Sequence, residues 1–194
     1  MATSTLENRE AFEAHLNPIL DVAYRVAYQL TRNKEDAMDL LQDASIQAFR
    51  GFQTFQTGSN FKAWFLRVLT NRYLKLKAKK RIETTQLDDI TDVYLFKKSS
   101  ENGLLGNPDD PARLVLDGLD VETVQNAIDK LPEEFRLVCV MYFMNDFGYE
   151  QIADVLEIPV GTVRSRLHRG RKALQRVLWD LALERGIVSG VSNE

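Results

Sequence analysis

A group of cationic, hydroxyl-bearing and small residues lies between positions 161 and 172, and no acidic residue interrupts it. Arginine and lysine side chains neutralise phosphates, and arginine and serine also form hydrogen bonds with base edges. A glycine in such a group lets the backbone approach a partner closely. These properties predict a nucleic-acid contact formed by Gly161, Thr162, Arg164, Ser165, Arg166, His168, Arg169, Arg171 and Lys172.

A second group of similar chemistry lies between positions 57 and 75. Arg67, Asn71 and Lys75 recur at intervals of four residues, so they share one stripe of a helix. An amide between two cations can bind a base edge while its neighbours hold phosphates. The loop before this helix carries small polar groups that could hold an unstacked base. The candidate residues are Thr57, Ser59, Asn60, Lys62, Arg67, Asn71 and Lys75.

A third surface, on the segment 34–52, is acidic. Helical periodicity divides this segment into a core stripe of alanine and leucine and an outer face with one apolar residue among polar ones. The outer face contains Asp39, Gln42, Asp43, Ile46 and Arg50. Such a face is typical either of a solvated helix or of a docking surface for a basic partner helix. The spacing alone leaves both interpretations open.

The chain has 194 residues and a net charge of −3, but its charges are segregated. Residues 61–82 carry eight Lys or Arg and no acid, and residues 161–179 carry six and no acid. The stretch 83–120 between them carries nine acids against three bases. Two basic segments separated by an acidic one predict two phosphate-facing surfaces.

Catalytic and metal-binding chemistry has little support in the sequence. Cys139 is the only cysteine and lies in an apolar run, which is typical of a small buried side chain and excludes an intramolecular disulfide. His168 has no neighbouring histidine or cysteine that could complete a metal site. The sequence shows no nucleophile–base pair, and we expect no cofactor. It also lacks a spanning apolar run and a secretory signal, so we expect a cytoplasmic protein without membrane insertion.

Helical periodicity begins at about position 12, runs through most of the chain and predicts an all-α fold. Helices are expected over 18–31, 34–52 and 61–81, with Asn33 as the N-cap of the second. Further helices are expected over 121–131, from Pro132 onward, over 149–156 and over 160–182. The stretch 84–118 has no sustained period, which predicts a flexible acidic linker. This linker would join two small helical domains, 1–83 and 119–194.

The segment 149–168 has the pattern of a helix-turn-helix motif. Ala153 is small at the point where two helices would cross, and residues 157–159 supply a short turn. At about 100° per residue, the second helix has an apolar face and a polar face. The apolar face contains Val163, Leu167, Gly170 and Leu174. The polar face contains Arg164, Ser165, His168, Arg169 and Lys172, with Arg166 and Arg171 on its flanks. An acid-free cationic face suits the DNA major groove.

Two sets of motifs, in this order, resemble extracytoplasmic-function (ECF) sigma factors of the sigma-70 family. The sequences KEDAMDLLQD at 34–43 and FQTGSNFKAWFLR at 55–67 resemble region 2. The sequences IDKLPEEFR at 128–136, IADVL at 152–156 and GTVRSRLHRG at 161–170 resemble region 4. The resemblance implies a region 2 helical bundle and a region 4 helix-turn-helix. It also implies a protein that supplies promoter specificity and strand opening while RNA polymerase performs the chemistry.

The resemblance implies a role for each surface. The acidic face corresponds to the family segment that docks on core polymerase, with Asp36, Asp39, Leu40, Gln42, Asp43 and Ile46 as candidates. The loop 57–60 and Asn71 correspond to positions that engage the −10 element, and the segment 160–172 corresponds to the reader of the −35 element. The linker corresponds to a segment near the RNA exit path, or it is a flexible tether. The implied partners are core RNA polymerase (β′ clamp helices and β flap), promoter DNA and an anti-sigma factor.

Other classes of protein fit part of the sequence. A stand-alone helix-turn-helix regulator would bind duplex DNA as a dimer, but it leaves the acidic face and the second basic helix unexplained. An RNA-binding or antitermination protein would use Phe49, Phe52, Phe55 and Tyr73 for stacking, although their spacing is typical of a core. A pure interaction protein explains neither basic helix.

Overall fold

Eight α-helices lie in residues 2–56, 58–84 and 120–184, which are the parts that the computed structural model describes. Their bounds are Ala2–Leu16 (α1), Leu20–Thr31 (α2), Lys34–Gly51 (α3), Phe61–Thr84 (α4), Val121–Asp129 (α5), Glu133–Cys139 (α6), Tyr149–Leu156 (α7) and Val160–Glu184 (α8). A π-helical turn at Val140–Met144 follows α6. The all-α prediction is confirmed. Thr57 and nearly all of the predicted linker lie outside the described residues.

The junction between α2 and α3 has the cap that the sequence predicts. The Asn33 side chain accepts hydrogen bonds from the backbone N–H groups of Glu35 at 2.8 Å and Asp36 at 3.1 Å. Arg32 precedes it with φ 58°, a left-handed conformation that is uncommon outside glycine. The Arg32 N–H donates to the Tyr28 carbonyl at 2.7 Å. One residue therefore ends α2, and the next begins α3.

The helix α1 begins well before position 12, where the sequence pattern first predicts helix. Its anchors are Phe12 and Leu16, which are both buried. The Phe12 ring packs edge-on against Phe49, Phe52 and Phe61, with centroids 5.4, 5.3 and 5.9 Å away. Packing at the C-terminal end of α1 thus supports a helix whose sequence has little apolar periodicity.

The chain forms two compact units, one containing α1 to α4 together with α7, and one containing α5, α6 and α8. In the first unit α2 and α3 are in contact, and each buries small side chains that permit close helix packing. These are Ala23, Ala27, Ala37, Ala44 and Ala48. The larger core side chains of α4 are Phe65, Leu66 and Leu69. The helix α7 packs against α4.

The second unit depends on a close approach between α8 and α6. A Cβ atom at Gly170 would lie 2.5 Å from Cys139 Sγ and 3.7 Å from Phe135 Cβ. Only glycine fits this distance without a shift of the neighbouring atoms. Cys139 is fully buried, and burial raises the pKa of its thiol to about 12. The thiol therefore stays protonated at neutral pH, as expected for a side chain used for packing.

Candidate nucleic-acid interface

The first half of α8 has the two faces that the sequence predicts. Val163 and Leu167 are 0% and 1% exposed, and Leu174 is fully buried. The residues predicted for the polar face are all exposed, namely Arg164, Ser165, His168, Arg169 and Lys172. Gly161 is also exposed, and Thr162 is partly buried. The helix therefore presents a row of polar and cationic side chains without an acid.

The N-terminus of α8 is fixed by its own backbone. The Pro159 carbonyl accepts hydrogen bonds from the N–H groups of Thr162 at 2.8 Å and Val163 at 3.1 Å. The Ser165 hydroxyl donates to the Thr162 carbonyl at 3.0 Å. This end of the helix carries the positive end of the helix dipole, which favours a phosphate or another anion.

The two flanking arginines differ from each other. Arg166 is partly buried, and its Nη2 lies 3.8 Å from Glu134 Oε2. Arg171 is only 9% exposed, and its guanidinium lies over the rings of Tyr142 at 5.0 Å and Phe143 at 5.6 Å. The exposed flank position predicted for Arg171 is wrong. Arg171 follows Leu167 by four residues, so the helical period turns it toward the protein.

The stripe on α4 is only partly open to solvent. Asn71 and Lys75 are exposed. Arg67 is partly buried, because its Nε and Nη2 donate to the Asp154 carbonyl at 3.1 and 2.6 Å. Its Nη1 lies 2.9 Å from Glu157 Oε1. The predicted stripe therefore contains two accessible side chains and one that is already bound within the protein.

The loop before α4 is shaped by local hydrogen bonds. Gly58 has φ 91°, which only glycine adopts readily. The Ser59 hydroxyl donates to the Gln56 carbonyl at 2.7 Å. Asn60 Oδ1 accepts from the Ala63 N–H at 3.1 Å, so this side chain caps α4. Asn60 and Ser59 are exposed, whereas the predicted loop residue Thr57 lies outside the described residues.

An aromatic cluster beside this loop includes a residue that the sequence analysis did not predict. His15 from α1 stacks on Phe61 at 5.1 Å between ring centroids. Phe55, which precedes the loop, lies 5.3 Å from Phe61 and 5.2 Å from Trp64. His15 reaches the cluster because it lies on α1. Nothing in the sequence near position 15 predicts this contact.

The acidic face on α3 is mostly accessible, with one correction. Asp36, Asp39 and Gln42 are exposed, and Ile46 is 44% exposed. Leu40, also predicted for docking, is 1% exposed and unsuited to direct contact. It follows Ala37 by three residues and precedes Ala44 by four, which places it in the core stripe. Met38, which was not predicted for this face, is 55% exposed and extends it.

Asp43 links the acidic face to α4. Both Nε and Nη2 of Arg72 donate to Asp43 Oδ2, at 3.0 and 2.6 Å. Both side chains are partly exposed, so the pair contributes modestly to stability. Its main effect is to fix the position of one carboxylate of the acidic face.

Known proteins share both halves of this arrangement. Family models for "Sigma-70 region 2" and "Sigma-70, region 4" match residues 11–82 and 122–174. The chain is 31% identical over 142 residues to the ECF RNA polymerase sigma-E factor of Escherichia coli (strain K12), with 72% of each chain covered. The chain belongs to the ECF RNA polymerase sigma factor family. Proteins of this family are transcription initiation factors rather than catalytic enzymes.

Other relatives agree with this assignment. The sigma factor is 29% identical over 177 residues to the ECF sigma factor SigW of Bacillus subtilis, which covers 90% of this chain and 92% of SigW. The structure of the sigma factor RpoE in complex with the anti-sigma factor NepR from Bartonella quintana matches with a TM-score of 0.63 and 25% identity. That match covers 88% of this chain and 98% of RpoE. None of the helices within the described ranges combines the length and apolarity needed to span a membrane.

Proposed function

We propose that this sigma factor binds core RNA polymerase, directs it to specific promoters and helps to open the DNA for transcription initiation. The observation that carries the proposal is the outer face of α8. Arg164, His168 and Lys172 are exposed there, above the fully buried Val163 and Leu167. Such a helix can enter the major groove while its inner face stays packed.

At the −35 element, the N-terminal residues of α8 contact base edges and the later cations contact phosphates. Arg164 and Ser165 lie nearest the start of the exposed face and are assigned to bases. Arg169 and Lys172 are assigned to phosphates, and Arg166 supports them from the flank. Arg171 is assigned to packing, because its guanidinium is buried over two aromatic rings.

At the −10 element, α4 and the loop before it engage the separated strand. Asn71 can form paired hydrogen bonds with a base edge, and Lys75 can neutralise a nearby phosphate. Ser59 and Asn60 line the loop side of this surface and are exposed. Lys62 and Arg67 complete the cationic set.

Core polymerase docks on the acidic face of α3. Asp36, Asp39 and Gln42 suit a basic helix, as the β′ clamp helices would supply, and Ile46 and Met38 add apolar area. A second contact joins region 4 to the β flap. The protein adds no catalytic group or cofactor and acts in the cytoplasm, where polymerase carries out the chemistry.

An anti-sigma factor is the third proposed partner. The matched RpoE structure is itself a complex with an anti-sigma factor. A protein that covers the docking face and α8 would block both polymerase and promoter. The stand-alone regulator is not favoured by any observation, because it assigns no role to the acidic face or to α4.

Run-off transcription with purified core polymerase tests the proposal. Core enzyme supplemented with this chain should initiate from members of a genomic promoter library that core enzyme alone ignores. The acidic face can be tested in the same assay with Asp39→Lys, which should abolish assembly with core polymerase. The exposed residue Asp21 of α2 provides a control, since Asp21→Lys makes the same charge change outside the acidic face. Transcription that does not depend on the chain would refute the function.

A further inference from the structure

The guanidinium of Arg67 caps the C-terminal end of α7. Its Nε and Nη2 donate to the Asp154 carbonyl at 3.1 and 2.6 Å, and its Nη1 lies 2.9 Å from the Glu157 carboxylate. The last carbonyls of a helix lack partners within the helix and carry its negative end, so a guanidinium is well suited to this position. Arg67 therefore acts as a cap for a helix that lies about 90 residues away in sequence.

Two more contacts hold the same segment against the rest of the first unit. Lys62 Nζ lies 4.5 Å above the ring of Phe147, and Phe147 is only 4% exposed. Asn145 Nδ2 donates to Gln29 Oε1 at 2.5 Å. Gln151 and Val155 of α7 line a narrow cleft together with Asn60, Lys62 and Leu66. The side of α4 that includes Lys62 and Arg67 is thus covered by α7 and the turn before it.

The covered side chains have a second use in the proposed function. Lys62 and Arg67 are the cations assigned to the −10 strand, and Asn60 belongs to the loop that would hold an unstacked base. A guanidinium whose three nitrogens bind Asp154 and Glu157 cannot also bind a phosphate in a bidentate manner. Nor can a strand follow a surface on which α7 already lies. The two occupants exclude each other.

We propose that α7 is an internal competitor for the −10 strand, held in place by Arg67 and Glu157 and displaced when the strand binds. This proposal rests on the proposed function, because it concerns the same surface of α4. It adds that the chain itself covers the side of the −10 surface that contains Lys62 and Arg67, so that strand binding along this side requires α7 to leave.

The contact has the properties of a reversible one. The side chains of Arg67 and Glu157 are 32% and 60% exposed, and an exposed ion pair of this kind contributes little net stability. Glu157 also has φ 54°, a left-handed conformation with a steric cost for a residue other than glycine. Loss of the ion pair should therefore change the occupancy of the closed form by about two- to fivefold.

The matched variants Glu157→Gln and Glu150→Gln test this proposal in the full chain. Glu150 lies in the first turn of α7 and Glu157 is its C-cap residue. Each substitution removes one negative charge, but only Glu157 contacts Arg67. Amide hydrogen exchange is measured over α7, and fluorescence anisotropy measures binding of a labelled single-stranded oligonucleotide of mixed sequence. We expect Glu157→Gln to speed exchange in α7 and to tighten oligonucleotide binding by about two- to fivefold relative to Glu150→Gln.

Equal behaviour of the two variants in either measurement would overturn the proposal. Tighter oligonucleotide binding by Glu157→Gln without faster amide exchange in α7 would mean that the substitution acts elsewhere, and it would also overturn the proposal. Failure of the proposed function is distinguishable, because it appears as a lack of chain-dependent transcription by the wild-type chain with core polymerase. The exchange measurement reports on the contact in either case.

Discussion

At the scale of single residues, two adjacent cations on α8 have different environments. Arg171 is buried over Tyr142 and Phe143, whereas Lys172 is exposed. Burial of a guanidinium against aromatic faces stabilises the fold, and an exposed ammonium near DNA releases a counterion on binding. We therefore assign Arg171 to packing and propose that Lys172 contacts DNA.

Arg171→Ala and Lys172→Ala should separate these uses. We expect Arg171→Ala to lower the free energy of unfolding by about 2 kcal/mol, because it removes a desolvated cation–π contact. We expect Lys172→Ala to leave stability unchanged and to reduce the salt slope of promoter binding by about 1. Urea unfolding and filter binding of the holoenzyme at several salt concentrations measure the two effects. A reduced salt slope of promoter binding in Arg171→Ala would show that Arg171 contacts DNA and would contradict its assignment to packing.

Arg164→Ala tests base recognition at the −35 element. Arg164 is exposed near the N-terminus of α8, where helix side chains reach base edges. Its removal should weaken −35 binding by about 1–3 kcal/mol and relax specificity at one base pair. Arg176, an exposed cation farther along α8, provides the control variant Arg176→Ala. Similar losses in both variants would indicate a general charge effect instead of base recognition.

At the scale of elements, the separation of α8 from α6 is set by Gly170. Gly170→Ala places a methyl group 2.5 Å from Cys139 Sγ. We expect a loss of about 1–3 kcal/mol of unfolding free energy from overpacking, although alanine favours helix by about 1 kcal/mol over glycine. Cys139→Ala in the same chain should restore part of the loss, since it removes the sulfur. Additive effects of the two substitutions in urea unfolding would contradict a direct clash.

The Asn33 side chain caps the start of α3, the helix proposed to dock on polymerase. Asn33→Ala removes the acceptor of two backbone N–H groups and should cost about 1 kcal/mol of stability. Fraying at this end should also weaken polymerase binding, because Asp36 and Asp39 lie in the first turns of α3. Asn33→Asp keeps an acceptor and serves as the control. Calorimetric unfolding and competition for core polymerase would measure both effects.

Local sequence patterns were sufficient to predict most elements and the outer face of α8. The cap at Asn33, the bounds of α7 and the buried row of Val163 and Leu167 all follow from short-range rules. Long-range packing was not predictable in the same way. The helix α1 depends on aromatic contacts with distant residues, and α7 packs on α4 through a side chain far away in sequence. Leu40 and Arg171 were assigned to surfaces although their helical spacing places them in the core.

At the scale of the whole molecule, the proposed function divides promoter recognition between two helices. In this proposal the exposed face of α8 binds duplex DNA, whereas α4 and its loop bind a separated strand. The two surfaces differ in chemistry as well as position, since α8 presents mainly cations and α4 presents an amide beside a cation. Binding and opening should therefore respond to different substitutions.

Asn71→Ala tests this division. The variant should impair strand opening by holoenzyme, because it removes the exposed amide of α4, and it should leave duplex −35 binding intact. Permanganate reactivity of unpaired thymines measures opening, and a duplex fragment with only the −35 element measures binding. Gln47, an exposed amide on α3, provides the control Gln47→Ala. Equal loss in both assays would refute the division.

The contact between Gly170 and Cys139 also restricts the order in which amino-acid substitutions can accumulate at these two positions during evolution. A side chain larger than hydrogen at position 170 meets the sulfur at 2.5 Å, so that substitution is unfavourable while Cys139 is present. A smaller residue at 139 creates the space first, at the cost of a small void. The two positions should therefore change in a fixed sequence, with 139 before 170. This buried pair therefore limits which orders of substitution preserve the packing of α8 against α6.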